Sequence, residues 1–239
     1  MAFQTSVATQ QSPGIEGGFY GNNPHFTVTN PDEGQFVAGA AGVIIGQFAW
    51  ADVTNGQVTS VHPGKAASLV RYGFVHRDQP AVVASLLVGT SNLVVAGQGI
   101  DILEDGPMWA RFAGGATIGQ KVYMAYADGS CSSAATASAA TATRTVATTS
   151  GSNIISYSGG QIYPGQPISG NGIASNSIVG TVNVAAGTAT LVLSTTGAAA
   201  NASATGSGVT ATITTNFETA WTVRSTAGNG ELAKISVRG

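Results

Sequence analysis

The sequence predicts an all-β protein: an antiparallel β-barrel or sandwich base, an N-terminal extended arm, and a second small β module inserted in a hairpin loop. Three observations carry this. The chain has 33 Gly in 239 residues and abundant Ala, Thr, Ser and Val, a mixture in which β-branched residues fit the pleat and glycines supply the positive φ of tight turns. Short runs alternate apolar and polar residues with the period of two that marks a half-buried strand. Turn dipeptides such as Asn55-Gly56 and Asp128-Gly129 punctuate those runs, and glycine there accepts the left-handed conformation that a primed hairpin turn demands.

Residues 1–35 read as the arm. Pro13, Gly14, Gly17, Gly18, Asn22, Asn23, Pro24 and Pro31 spoil any regular period. Four aromatics, Phe3, Phe19, Tyr20 and Phe26, would be wasted on a solvated tail. The arm is therefore expected to order against a partner or its own domain, and these four are the candidate contacts, since aromatics often anchor interfaces.

Residues 36–137 together with 217–239 read as the base. Strands are expected over Val43–Trp50, Leu69–His76, Ala81–Val88, Leu93–Ala96 and Lys121–Ala127. At the C-terminal end Ala233, Ile235 and Val237 alternate with Lys234, Ser236 and Arg238. Trp221 and Val223 give that strand its partner. Ser130–Ala137 and Phe217–Ser225 are expected on neighbouring strands of one sheet.

Composition changes abruptly after Arg144, with no Asp, Glu, Lys, Arg or His from Thr145 to Phe217. Alternating pieces persist inside this stretch, at Val182/Val184, Leu191/Leu193 and Val209/Ala211/Ile213. Residues 138–216 thus read as an inserted β module, tolerated because lengthening a loop costs only about 0.6 kcal/mol per doubling. It should face outward, leaving any docking surface free.

Charge narrows the function classes. Charged residues make up 8% of the chain and the formal net charge is −2, against about 25% charged in ordinary soluble domains. With 43% hydrophobic residues the chain should fold. Nine scattered basic residues offer no stripe to neutralise phosphates, so nucleic acid is not expected as a partner. The single Cys131 cannot form an internal disulfide, which suits assembly in a reducing cytosol. The start Met1-Ala2-Phe3-Gln4-Thr5 does not read as a secretory signal, and no apolar run approaches the roughly 20 residues of a membrane span.

No catalytic, cofactor or metal residues are expected. His76-Arg77-Asp78 repeats three letters of a kinase catalytic loop without its glycine-rich loop or metal ligands. His25, His62 and His76 lack a nucleophile elbow to serve, and Asp101, Glu104 and Asp105 form only a short acidic turn. A charge-poor surface is instead what interface cores look like, because desolvating charge is costly.

The motifs Gly46-Gln47-Phe48-Ala49-Trp50-Ala51-Asp52, Gly73-Phe74-Val75-His76-Arg77, Ala125-Tyr126-Ala127-Asp128-Gly129 and Gly230-Glu231-Leu232-Ala233-Lys234-Ile235 occur in this order. Together with Met1–Thr5 and Val37–Val43 they resemble the structural cement (capsid decoration) proteins of tailed phages, over residues 1–137 and 217–239. Pro80 departs from the pattern. The resemblance implies a non-enzymatic virion subunit on the outer capsid surface, a homotrimer bound to the major capsid protein without cofactor. The insert lies outside it and loosely resembles Gly/Thr-rich modules of other phage surface proteins through Pro164–Ile173. A glycan- or host-surface-binding display role for the insert, or a tail or fibre component, is the alternative.

Overall fold

The structure, a computed structural model, describes residues 14–30, 34–77 and 92–238. Phe3 and the strand expected over Ala81–Val88 lie outside them. Among the described residues the chain is β throughout, and its helical content is one 3-10 turn, Ala67–Leu69.

The first part of the base holds β1 (Phe26–Thr27), β2 (Val37–Ala38), β3 (Val43–Ile44), β4 (Phe48–Asp52), β5 (Gln57–Thr59), β6 (Val70–Val75), β7 (Leu93–Val94) and β8 (Ile102–Asp105). Six of these form a sheet in the order β1-β8-β6-β4-β5-β2, while β3 and β7 pair beside it. The run Val43–Trp50 is not the single strand expected from its apolarity. Gly46 adopts φ 89° and turns the chain between β3 and β4, and a Cβ there would collide with the Glu16 side chain.

All five residues of β4 are buried, because each face of this central strand feeds a different core. Phe48 and Trp50 pack with Phe74, Leu103 and Trp221, whereas Ala49 and Ala51 pack with Val43, Ile45, Val58 and Ile102. A strand covered on both faces reads as a continuous apolar run. The β4–β5 hairpin closes at Asn55-Gly56, with Gly56 at φ 66° and the Asp52 carboxylate accepting the Thr54 N–H at 3.0 Å.

The chain continues into β9 (Met108–Phe112), β10 (Lys121–Ala125) and β11 (Cys131–Ala134). It then makes β12 (Thr141–Thr148), β13 (Ile154–Ser158), β14 (Ile168–Gly170), β15 (Ser177–Asn183), β16 (Thr188–Leu193) and β17 (Gly206–Thr214), before returning as β18 (Asn216–Val223) and β19 (Glu231–Ser236). Strands β10-β11-β9-β19-β18 close into a barrel. The expected C-terminal pairing is present: Val223 lies opposite Ile235, and both are fully buried together with Ala233 and Trp221.

β11 and β18 share this barrel but are not neighbours, since β10 lies between them. The reason is a crossing of the chain just after β11. The Tyr123 hydroxyl, on β10, stands 2.6 Å from the Ala135 carbonyl and accepts the Ser138 N–H at 3.0 Å. The Glu218 carboxylate, on β18, accepts the Ala137 N–H at 2.6 Å. These bonds carry residues 135–138 over β10 to the far side.

Strands β12–β17 form their own antiparallel sheet in the order β14-β17-β12-β13-β16-β15. Its core is Val146, Ile155, Ile168, Val179, Leu191 and Ile213 with smaller neighbours. The outer face explains how a sheet whose one charged side chain is Arg144 stays wet. Thr141, Thr143 and Thr145 stand opposite Thr214, Thr212 and Thr210, and such cross-strand threonine pairs combine β propensity with exposed hydroxyls.

Candidate functional site

The arm is threaded along the base through its backbone. Gly17 N–H donates to the Trp109 carbonyl and Trp109 N–H to the Gly18 carbonyl, both at 2.9 Å; Tyr20 N–H reaches Pro107 and Val28 N–H reaches Ile102 at the same distance. Arg111 adds an ion pair to Glu16 at 2.9 Å. This is ladder geometry, so the arm pairs with the base as an edge strand does around Phe19, opposite Met108, and again over Phe26–Thr27, opposite β8.

Each described arm aromatic has a partner of its own. Phe19 sits between His25 and His76, with ring centroids 4.8 and 5.8 Å away. Tyr20 meets Trp109 edge-on at 6.1 Å, and the Lys234 ammonium lies 5.3 Å from its ring. The Arg238 guanidinium lies over Phe26. They do not merge into one patch. Phe19 and Phe26 nevertheless remain 37% and 47% exposed, far more than a residue whose whole task is core packing.

The β4–β6 pair sets out two ends of the base. Phe48 opposes Phe74 at one end and Asp52 opposes Val70 at the other, roughly 13 Å apart at about 3.3 Å per residue. At the Phe74 end the arm turn Ile15–Gly18 packs on the Gly46 turn: Arg77 N–H donates to the Gly17 carbonyl, and Arg77 Nη2 to Asn92. Ile15, Ile44 and Leu93 are exposed here, with Ile44 and Leu93 opposite each other in register. At the Val70 end the inserted sheet touches the base. Ala67 N–H donates to the Ser194 carbonyl at 3.0 Å, and a Cβ on Gly165 would collide with the His62 ring.

Between the insert and the base lies a cleft of about 760 Å³. Trp50, His62, Tyr72, Tyr126 and Phe217 line it from the base, and Gly165, Pro167, Ile178 and Ser194 from the insert. Trp50 stacks on Tyr126 with planes 16° apart and meets Phe217 and His62 edge-on. Burial pushes the His62 pKa down to about 4, against a smaller opposing pull from Asp52. Burial also raises the Asp52 carboxyl, but the Lys65 ammonium at 2.6 Å and the Thr54 hydrogen bonds outweigh it and hold it low. Burial drives the Tyr126 phenol upward, keeping it protonated.

Sequence reasoning missed this cleft. Its aromatics come from five separate stretches of chain, and no local spacing joins them. The sequence motifs disperse: His76 is buried beside Phe19, Arg77 holds the arm, and Asp78 lies outside the described residues. The expected acidic turn is strand instead: Glu104 and Asp105 lie on β8, and Asp105 pairs with Arg238 at 2.8 Å. Among the described residues no group of three or more His, Cys, Asp or Glu side chains could hold a metal ion, and no helix is long and apolar enough to cross a membrane.

No curated protein matches the chain. The family model for the XM1 gp53 minor capsid protein matches residues 3–162. That span takes in the arm, the first base sheet, three barrel strands and the first two strands of the insert; it runs further into the insert than the cement-protein resemblance, and it stops before β18 and β19. With more than half of its length matched, the chain belongs to the XM1 gp53 minor capsid protein family, structural proteins of the phage virion.

Proposed function

We propose that the protein is a cement subunit: it binds the outside of the major capsid shell as a homotrimer and stabilises the shell by added interface area, with no bond chemistry. The observation that carries this reading is the opposition of the two ends of the base. Among the described residues, exposed Ile15, Ile44 and Leu93 gather at one end, against the single exposed Leu69 beside Val70 at the other, where the inserted sheet sits. The apolar end suits a contact with the shell, and the insert then faces outward. The resemblance to structural cement proteins supports the trimer.

The mechanism is linkage. A ligand that binds only the assembled shell stabilises it by its binding free energy. Three legs held together raise one another's effective concentration, so weak single contacts suffice. Few charges are available to lock the contact, so attachment should change little with salt.

The test is thermal genome release from particles made with and without the protein, with copy number by mass. Cement predicts hundreds of copies, and release at lower temperature when the protein is missing. Ile44→Asp and Leu93→Asp, each checked for an intact β spectrum, should lose particle binding. Unchanged release from particles that lack the protein removes the cementing role.

A further inference from the structure

We propose that the cleft between the base and the inserted sheet is a carbohydrate site, which takes a short neutral saccharide from a cell surface or from the medium. The inference does not depend on the cement reading, because the cleft lies away from the apolar end of the base.

Its chemistry selects the ligand class. Tyr72 and Phe217 line the cleft and are partly exposed, meeting edge-on at 5.0 Å; aromatic faces of this kind receive the C–H faces of a pyranose. Hydrogen-bonding groups stand beside them. Tyr72 Oη accepts the Ala220 N–H at 2.9 Å, which leaves its own proton to donate. His62 Nδ1 accepts the Gly64 N–H at 2.9 Å, so the neutral ring carries its proton on Nε2 as a second donor. The Tyr126 phenol stays protonated, and Ser194 lines the facing wall.

Charge argues against the other small-ligand classes. Lys65 is already bound to Asp52 at 2.6 Å. Arg71 and Glu104, both lining residues, offset each other. With Lys65 committed to Asp52 and Arg71 balanced by Glu104, the walls offer neither a phosphate or carboxylate nor a quaternary ammonium a net opposite charge. A neutral ligand with apolar faces and many hydroxyls matches both the rings and the donors. The volume lies within the roughly 300–1,000 Å³ of ordinary small-ligand sites.

The experiment is saturation-transfer NMR on the full chain. The probes are glucose, galactose, mannose, rhamnose and N-acetylglucosamine, with maltotriose, cellotriose and chitotriose. At least one should bind saturably with Kd on the order of 0.1–1 mM. Ser194→Trp, which fills the cleft from the insert side, and Phe217→Ala, which removes an aromatic face, should each weaken it by about tenfold or more. Both are to be checked for an unchanged β spectrum, and Val184→Ser, in the exposed turn between β15 and β16 of the insert, should bind as the parent does. No saturable binding by any probe up to about 10 mM overturns the proposal. So does binding that survives both cleft variants, which would move the site elsewhere on the surface.

Discussion

The guanidinium of Arg238 lies 4.8 Å from the centroid of the Phe26 ring, and its Nε reaches the Asp105 carboxylate at 2.8 Å. One residue near the C-terminus thus holds the N-terminal arm against β8. The Arg238 side chain is 71% exposed, so neither contact is strong: about 0.5–1 kcal/mol for an exposed cation–π pair and less than about 1 kcal/mol for the ion pair. Arg238→Ala should therefore lower stability by about 1 kcal/mol, or a few degrees in Tm. Its specific signature is faster amide exchange at Thr27 and Val28 with the barrel unaffected. Exchange at the parent rate would show that the backbone ladder alone fixes the arm.

Acid should weaken the fold through His62. The unfolded chain takes up a proton near the ordinary value of about 6.5, while the folded protein does so only near 4. Between those values the unfolded state holds more protons, so stability is full above about pH 6.5 and falls as the pH drops toward 4. The loss amounts to about 3 kcal/mol. His62→Asn keeps an acceptor for the Gly64 N–H without the titration, and denaturant midpoints measured from pH 7 to pH 4 should be flatter in this variant. Asp52, held low by its partners, adds a further loss at more acid pH as it takes up its proton.

Gly129 and Gly97 have nearly the same backbone, φ 77° and 78°, but different surroundings. A Cβ on Gly97 meets nothing within 4 Å, whereas one on Gly129 would collide with the Phe48 carbonyl oxygen. Gly129 also accepts the Phe48 N–H at 3.0 Å, a bond that joins the barrel hairpin to β4. Gly97→Ala should cost about 1–2 kcal/mol, the penalty of a left-handed alanine alone. Gly129→Ala should cost more, on the order of 3 kcal/mol or above, because two backbones must separate. Urea denaturation of the pair measures the difference.

What could be read from the residues was whatever local pattern dictates. The β19 alternation at Ala233 and Ile235, the turns at Gly56 and Gly129, and the all-β class follow from periods and turn chemistry within a few residues. The break at Gly46 was invisible inside an apolar run, because Glu16, thirty residues upstream, occupies the space a side chain would need. β10 lies between β11 and β18 because Tyr123 and Glu218 capture residues 135–138, which is a tertiary event. The aromatic cleft was out of reach for the same reason: Trp50, Tyr72, Tyr126 and Phe217 meet only after the sheet, the barrel and the insert have folded.

The insert can be tested as a separable unit at its neck. Thr215 N–H donates to the Ala140 carbonyl at 2.8 Å, and Thr141 stands opposite Thr214, so the two crossing points form an antiparallel pair that a two-residue Asn-Gly turn can close. Replacing residues 141–214 by that turn removes Gly165, Pro167, Ile178 and Ser194 from the cleft wall and Tyr163 from the edge of the barrel core. The base should still fold, since its two main cores draw their buried residues entirely from outside the insert. Its Tm should fall, because Trp50, His62 and Tyr126 lose cover. On the cement reading the shortened protein keeps particle binding while losing any saccharide affinity. A shortened chain that is insoluble, or folded but unable to bind particles, would place the insert within the functional base.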